Sequence, residues 1–208
     1  MGKEELDPSP DNRPVSPSAE RNKGPIADVL KRILPVDGKV LEISSGTGQH
    51  VVHFAREMPG LTWQPSECDE PSLKSIKQWM AAEALPNILT PLRLDVTELP
   101  WRAGPATAII CLNMIHIAPW PAAEGLIRGA EMTLGQGGIL FLYGPYRRHG
   151  VPTSPSNEAF DAHLRSRNPE WGLRHVEDVG RYAMLHGFGP PEIREMPSNN
   201  LSVIFRKQ

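Results

Sequence analysis

Three acidic residues and one glycine turn carry the types and spacing in this chain that suit chemistry. Val40-Leu-Glu-Ile-Ser-Ser-Gly-Thr-Gly-Gln49 runs from an apolar stretch into a turn of small residues. Gly46 and Gly48 allow a backbone to approach a ligand without a Cβ collision. Glu42 stands inside the apolar stretch and Ser44 opens the turn. Glu67 lies 19 residues past Gly48. A carboxylate there can accept from both hydroxyls of a ribose, and such charge-assisted bonds contribute about 1.5–3 kcal/mol each. Asp69 is its near rival. In Leu92-Arg-Leu-Asp-Val96, Asp95 suits an adenine amino group and the Val96 N–H suits a ring nitrogen.

Two ligands compete for this pattern. A nicotinamide dinucleotide wants G-x-G-x-x-G to receive its pyrophosphate, but here the third position falls on branched Val51. S-adenosylmethionine has no phosphate, and its sites want an acid inside the strand, which Glu42 supplies. Residue chemistry favours adenosylmethionine, with the dinucleotide as the alternative. Further along, Cys111-Leu-Asn-Met-Ile-His-Ile117 places Asn113 and Met114 at the cofactor's edge. His116 is expected to face the methyl acceptor, with a pKa suited to proton transfer near neutrality. Tyr143-Gly-Pro-Tyr-Arg-Arg-His149 reads as a loop offering Tyr143 and Tyr146 as pocket groups and Arg147 or Arg148 to an anion. A mobile surface loop is the plainer reading of the same residues.

These residues need a scaffold, and the periodicity provides one. Ile26, Val29, Leu30, Ile33 and Leu34 mark one face of a helix that begins near Ser18. Lys39–Ile43, Leu61–Pro65, Ile88–Leu94, Ala106–Asn113 and Gly138–Tyr143 read as strands, and Pro91 sends the third to an edge. Helices are expected from Val51 to before Pro59, and over Glu70–Leu85, Pro121–Leu134, Asn157–Arg167 and Val176–His186. Glu192–Met196 and Leu201–Arg206 read as a closing hairpin. Alternating strands and helices predict an α/β fold with a mostly parallel sheet covered on both faces, and the hairpin adds an antiparallel end.

Composition bounds the function. The chain has 208 residues, enough for one sizeable core, and residues 18–208 read as a single domain after a flexible tail, 1–17. The net charge of -2, with no long basic run, gives no global support for nucleic-acid binding. Cys68 and Cys111 form no metal spacing such as C-x-x-C and no disulfide framework, so no metal is expected and a reducing cytoplasm is. The first residues lack the apolar core of a secretory signal, and no apolar run approaches a membrane span. Little room remains for a macromolecular docking domain, which favours a small-molecule acceptor. Oligomeric state is not legible.

Four segments together resemble the methyltransferase-like 26 family, a branch of class I methyltransferases. They are Ala19-Glu-Arg-Asn-Lys-Gly-Pro-Ile26, Leu41-Glu-Ile-Ser-Ser-Gly-Thr-Gly-Gln-His50, Thr62-Trp-Gln-Pro-Ser66 and Met196-Pro-Ser-Asn-Asn-Leu-Ser-Val-Ile-Phe205. The resemblance implies a Rossmann-like sheet of seven strands and adenosylmethionine as cofactor. It carries over Glu42, Gly46 and Gly48 as the first cofactor loop, Glu67 at the ribose and Asp95 at the adenine. Ser44 stands where the general class pattern has Gly. Arg21 and Asn22, in the N-terminal motif, are placed over the methionine carboxylate. The expected activity is methyl transfer to a small molecule; the alternative is a non-catalytic module that binds adenosylmethionine or its demethylated product and works through a partner.

Overall fold

A computed structural model describes residues 7–8 and 13–208. Most of the expected tail lies outside the described residues. Its described part holds a two-residue antiparallel pair, β1 (Asp7–Pro8) with β2 (Pro14–Val15). The elements that follow are α1 (Pro17–Ile33), β3 (Gly38–Ile43), α2 (Gln49–Glu57), β4 (Leu61–Glu67), α3 (Glu70–Glu83), β5 (Leu92–Arg93) and β6 (Ala106–Leu112). Then come α4 (Trp120–Thr133), β7 (Leu134–Gly144), α5 (Pro155–Arg167), α6 (Val176–Leu185), β8 (Glu192–Met196) and β9 (Asn200–Arg206). The mixed sheet has seven strands, the number the resemblance implies, in the order β5-β4-β3-β6-β7-β9-β8. Among the described residues no helix is long and apolar enough to cross a membrane.

The chain divides into two compact units. One runs to Asp95 and adds Arg102–Ile110; the other is Val96–Trp101 with Cys111–Gln208. In the first, β3 and β4 run parallel with Glu42 opposite Pro65, and β4 pairs with β5 so that Glu67 lies opposite Arg93. Parallel register brings the carboxyl ends of neighbouring strands to the same side, so the acids of β3 and β4 share one end. Val40, Leu41, Val51, Phe54 and Trp63 form the buried centre of this unit. The third expected strand is shorter than periodicity suggested. Only Leu92–Arg93 pairs as a strand, while Ile88 makes an isolated bridge to Trp63. Pro91 has no N–H to give the ladder, and the Thr90 carbonyl accepts from the Gln64 side chain instead, at 2.7 Å. The edge position expected for this strand is found.

In the second unit β9 pairs antiparallel with both β7 and β8. This is the expected hairpin, joined by a 3-10 turn at Pro197–Asn199. Strand β7 begins four residues earlier than its apolar run, at Leu134, because pattern shows only where a strand is buried. Leu140, Phe141, Val203 and Phe205 fill the core here.

Candidate functional site

Strand β3 ends by leaving the β region abruptly. Ser44 takes a left-handed φ of 54°, followed by Gly46 at 58° and Gly48 at 95°. Gly48 cannot be replaced without strain, since a Cβ there would lie 2.9 Å from the Ile76 backbone. Nothing lies within 4 Å of a Cβ built on Gly46, so its surroundings are open. The turn is tied to β4 by the Ser45 N–H, which donates to the Ser66 carbonyl at 3.0 Å. The Ser66 hydroxyl in turn donates to the Glu42 carbonyl at 2.7 Å.

Glu67 is the last residue of β4, where the sequence placed it just beyond. Its Oε1 accepts from the Gly46 N–H and its Oε2 from the Cys68 N–H, each at 3.0 Å. Burial raises its pKa, against the lowering by those two N–H donors. Glu42 is buried more deeply, and neither carboxyl oxygen has a hydrogen-bond partner. Burial, opposed by the nearby Ser45 hydroxyl and aided by repulsion from Glu67, raises its pKa to about 8. Asp95 follows β5 and is exposed. The first unit therefore brings Glu42, Ser44, Gly46, Gly48 and Glu67 together, with Asp95 just past the neighbouring strand. The rival Asp69 is engaged elsewhere, capping α3 by accepting from the Ser72 N–H at 2.9 Å.

The N-terminal motif also packs in this unit. Gln49 holds the entry to α1, accepting from the Ser16 N–H at 2.5 Å and donating to Glu20 at 2.7 Å. Asn22 Oδ1 lies 2.7 Å from His50 Nε2, so the Asn22 side chain joins α1 to α2. Arg21 is exposed on α1. Sequence reasoning missed Gln49 and His50, though both adjoin the glycine turn.

The second unit gathers the other expected residues. Asn113 takes a φ of 62°, gives its N–H to the Tyr143 carbonyl at 2.8 Å, and precedes a 3-10 turn of Met114–His116. Met114, Tyr143 and Tyr146 are buried, and Val96 is buried with its carbonyl accepting from the Trp101 indole at 3.2 Å. His116 is 0% exposed. Its Nδ1 accepts from the Arg174 N–H at 3.4 Å, its Nε2 has no partner, and its ring meets Tyr146 edge-on at 4.7 Å. The expectation of a pKa near neutrality is not met. Burial, with the Arg174 charge adding to it, lowers the His116 pKa to about 3. Tyr146 is driven the other way, well above its usual value, by burial.

Arg147 and Arg148, which the sequence could offer to an anion, are not left open in the structure. Arg147 makes paired bonds to Glu158 at 2.7 and 2.6 Å and reaches Asp161 at 3.2 Å. Arg148 is paired with Glu195 at 2.6 Å. Nor does that loop hang free, because the Arg147 N–H donates to the Arg174 carbonyl at 2.9 Å and the Val176 N–H to the Arg147 carbonyl at 3.0 Å. Partners far along the sequence decide both results.

Comparison with known proteins relates the chain to a family and to a fold. The family described as "Protein of unknown function (DUF938)" matches residues 13–207. Among solved structures, an O-methyltransferase family protein from Burkholderia thailandensis is similar at a TM-score of 0.77 and 17% identity, over 92% of this chain and 57% of that one. Human N-acetylserotonin methyltransferase, solved in complex with SAM, gives 0.74 and 14%, over 91% and 52%. CalO1, a methyltransferase of calicheamicin biosynthesis in its SAH-bound form, gives 0.73 and 14%, over 92% and 54%. The chain thus spans a little over half the length of these proteins. At such identities the likeness shows the fold, which is the Rossmann-like class I methyltransferase fold.

Proposed function

The chain belongs to the DUF938 family, and from that premise we propose that it is a cytoplasmic S-adenosylmethionine-dependent methyltransferase acting on a small-molecule acceptor. The observation that carries the reading is the row of acids at the ends of adjacent strands, with Glu67 fastened to the glycine turn by the Gly46 N–H. The residues fit the cofactor. Glu42 offers two buried oxygens that lack partners. Gly46 faces open space. A carboxylate has about four acceptor positions, and the two N–H bonds to Glu67 leave room for ribose hydroxyls. Asp95 and Val96 would take the adenine, Asn113 and Met114 the cofactor's edge, and Arg21 and Asn22 the methionine carboxylate. A closer kinship with the methyltransferase-like 26 family is part of the same proposal.

When bound, adenosylmethionine supplies a methyl group on a cationic sulfur. The protein has to align an acceptor and exclude water, and positioning of this kind can contribute roughly 7–11 kcal/mol. Tyr143 and Tyr146 shape and position; Tyr146 keeps its proton. His116, with a pKa of about 3, is a poor base toward a phenol or alcohol. This favours an acceptor whose nucleophilic atom needs no deprotonation, such as a thioether or a neutral amine, or one that arrives ionised. The same observation keeps a second reading in view, a non-catalytic module that binds adenosylmethionine or its product and acts through a protein partner.

Titration calorimetry with adenosylmethionine, its demethylated product and NAD tests the proposal on the wild type and on Glu67→Ala. Binding of the sulfonium compound or its product, weakened at least tenfold in the variant, is expected. Normal affinity in Glu67→Ala refutes the ribose assignment, and binding of NAD alone refutes the cofactor. Binding without turnover on any small-molecule pool supports the non-catalytic module.

A further inference from the structure

We propose that His149, His175 and Glu177 form a binding site for a zinc ion. This does not rest on the methyltransferase reading. One ligand atom from each of the three lies within 4.8 Å of the others. Their frame is well held: the loop bearing His149 is bonded to the segment bearing His175 through Arg147, Arg174 and Val176. His175 stands at the N-cap position of α6 with no side-chain capping bond, and Glu177 lies in the first turn.

A second observation points to a ligand. His175 Nδ1 and Glu177 Oε2 are both shielded from solvent and both lack a hydrogen-bond partner. Buried polar atoms are seldom left so in folded proteins, and two in one cluster call for a shared partner. The His149 N–H donates to Glu177 Oε1 at 3.2 Å, and Oε2 lies 4.0 Å from His149 Nδ1. The His149 and His175 ring centroids are 4.4 Å apart. Behind His149, Asp178 Oδ2 lies 3.9 Å from Nε2, where an outer carboxylate orients a ligating imidazole. Ligands around tetrahedral zinc stand about 3.4 Å apart at the usual bond lengths. The cluster must therefore draw inward by about an ångström, and His149, 51% exposed, can rotate to do so.

The donor set narrows the cation. Calcium and magnesium take oxygen ligands, whereas two imidazoles and one carboxylate suit a transition metal, and tetrahedral zinc would leave a fourth position open. His175 and Asp178 also line a groove of about 400 Å³, together with Trp120, Arg165, Leu173 and Arg174. A bound ion would clip the loop after β7 to the start of α6.

The test uses the full chain stripped of metal and titrated with zinc sulfate. One equivalent of zinc is expected to bind, with no uptake of magnesium, and His149→Ala and His175→Ala are each expected to weaken it at least tenfold. Cobalt substitution supplies a second readout: visible bands without thiolate charge transfer are expected. No saturable zinc uptake, or unchanged affinity in both variants, overturns the proposal. Thiolate charge transfer also overturns it, because it assigns the ion to the other group of donors, Glu67, Cys68 and Asp69.

Discussion

Glu42→Gln is expected to make the protein more stable, by an amount that depends on pH. Glu42 is 1% exposed and its oxygens are unpartnered, so the folded state favours its neutral form. Its pKa rises from 4.5 to about 8 on folding. The native state therefore holds the proton more tightly than the unfolded chain. Stability from this source is complete below pH 4.5 and is lost as pH rises toward 8. At 1.36 kcal/mol per pH unit, the loss amounts to about 4–5 kcal/mol. That is a large share of the roughly 5–15 kcal/mol by which domains are stable. Glutamine keeps the shape and cannot ionise. Urea unfolding followed by circular dichroism at pH 5 and pH 8 should show the variant gaining little at the first and about 3–5 kcal/mol at the second. The difference between the two proteins is the quantity to follow, because His50 and His116 slope the other way at acid pH. A gap that stays constant with pH refutes the reasoning. At pH 8, where about half of Glu42 is ionised, the stabilised variant should also bind adenosylmethionine more weakly, since it can offer no negative charge to a cationic ligand.

Ser44→Gly should be neutral or stabilise by up to about 1 kcal/mol, because Ser44 holds a φ of 54° that costs an L-residue about 1–2 kcal/mol and glycine returns part of the gain as entropy. A thermal melt shifted upward by a few degrees at most is expected, and a fall would show that the hydroxyl contributes to the fold. Gly144→Ala should cost about 1–3 kcal/mol in urea unfolding, since its Cβ would meet His116 Nε2 at 2.5 Å and Asn113 Oδ1 at 3.1 Å; unchanged stability would contradict the packing around His116. In the Glu42→Gln background, stability should fall as pH drops from 6.5 toward 3, because His50 and His116 are held near pKa 3 by burial and the unfolded chain binds those protons first. A flat acid limb would refute that assignment.

What could be read from the sequence was what a short window contains. The glycine turn, the apolar run before it and the helix after it specify one another, and the observed turn lies where the pattern put it. The hairpin is similar, since Pro197-Ser-Asn-Asn200 both ends β8 and supplies two residues of positive φ. Long-range partners are another matter. Periodicity marks His116 as following a strand, but its pKa is set by burial and by Arg174, 58 residues away. Arg147 reads as an open cation until α5 brings Glu158 and Asp161 to it. His149 and His175 share no motif, and it is the pairing of the loop at Arg147 with the segment at His175 that makes them neighbours. Charge states follow the same division. A carboxylate or imidazole has its ordinary pKa in any local window, and the shift arises from what the fold removes: water around Glu42 and around His116. Sequence therefore nominates which groups can do chemistry, while tertiary burial decides which of them still carry a charge at neutral pH. For this chain that second step turns an expected base into an imidazole too weakly basic to hold a proton and an expected carboxylate into a largely protonated acid.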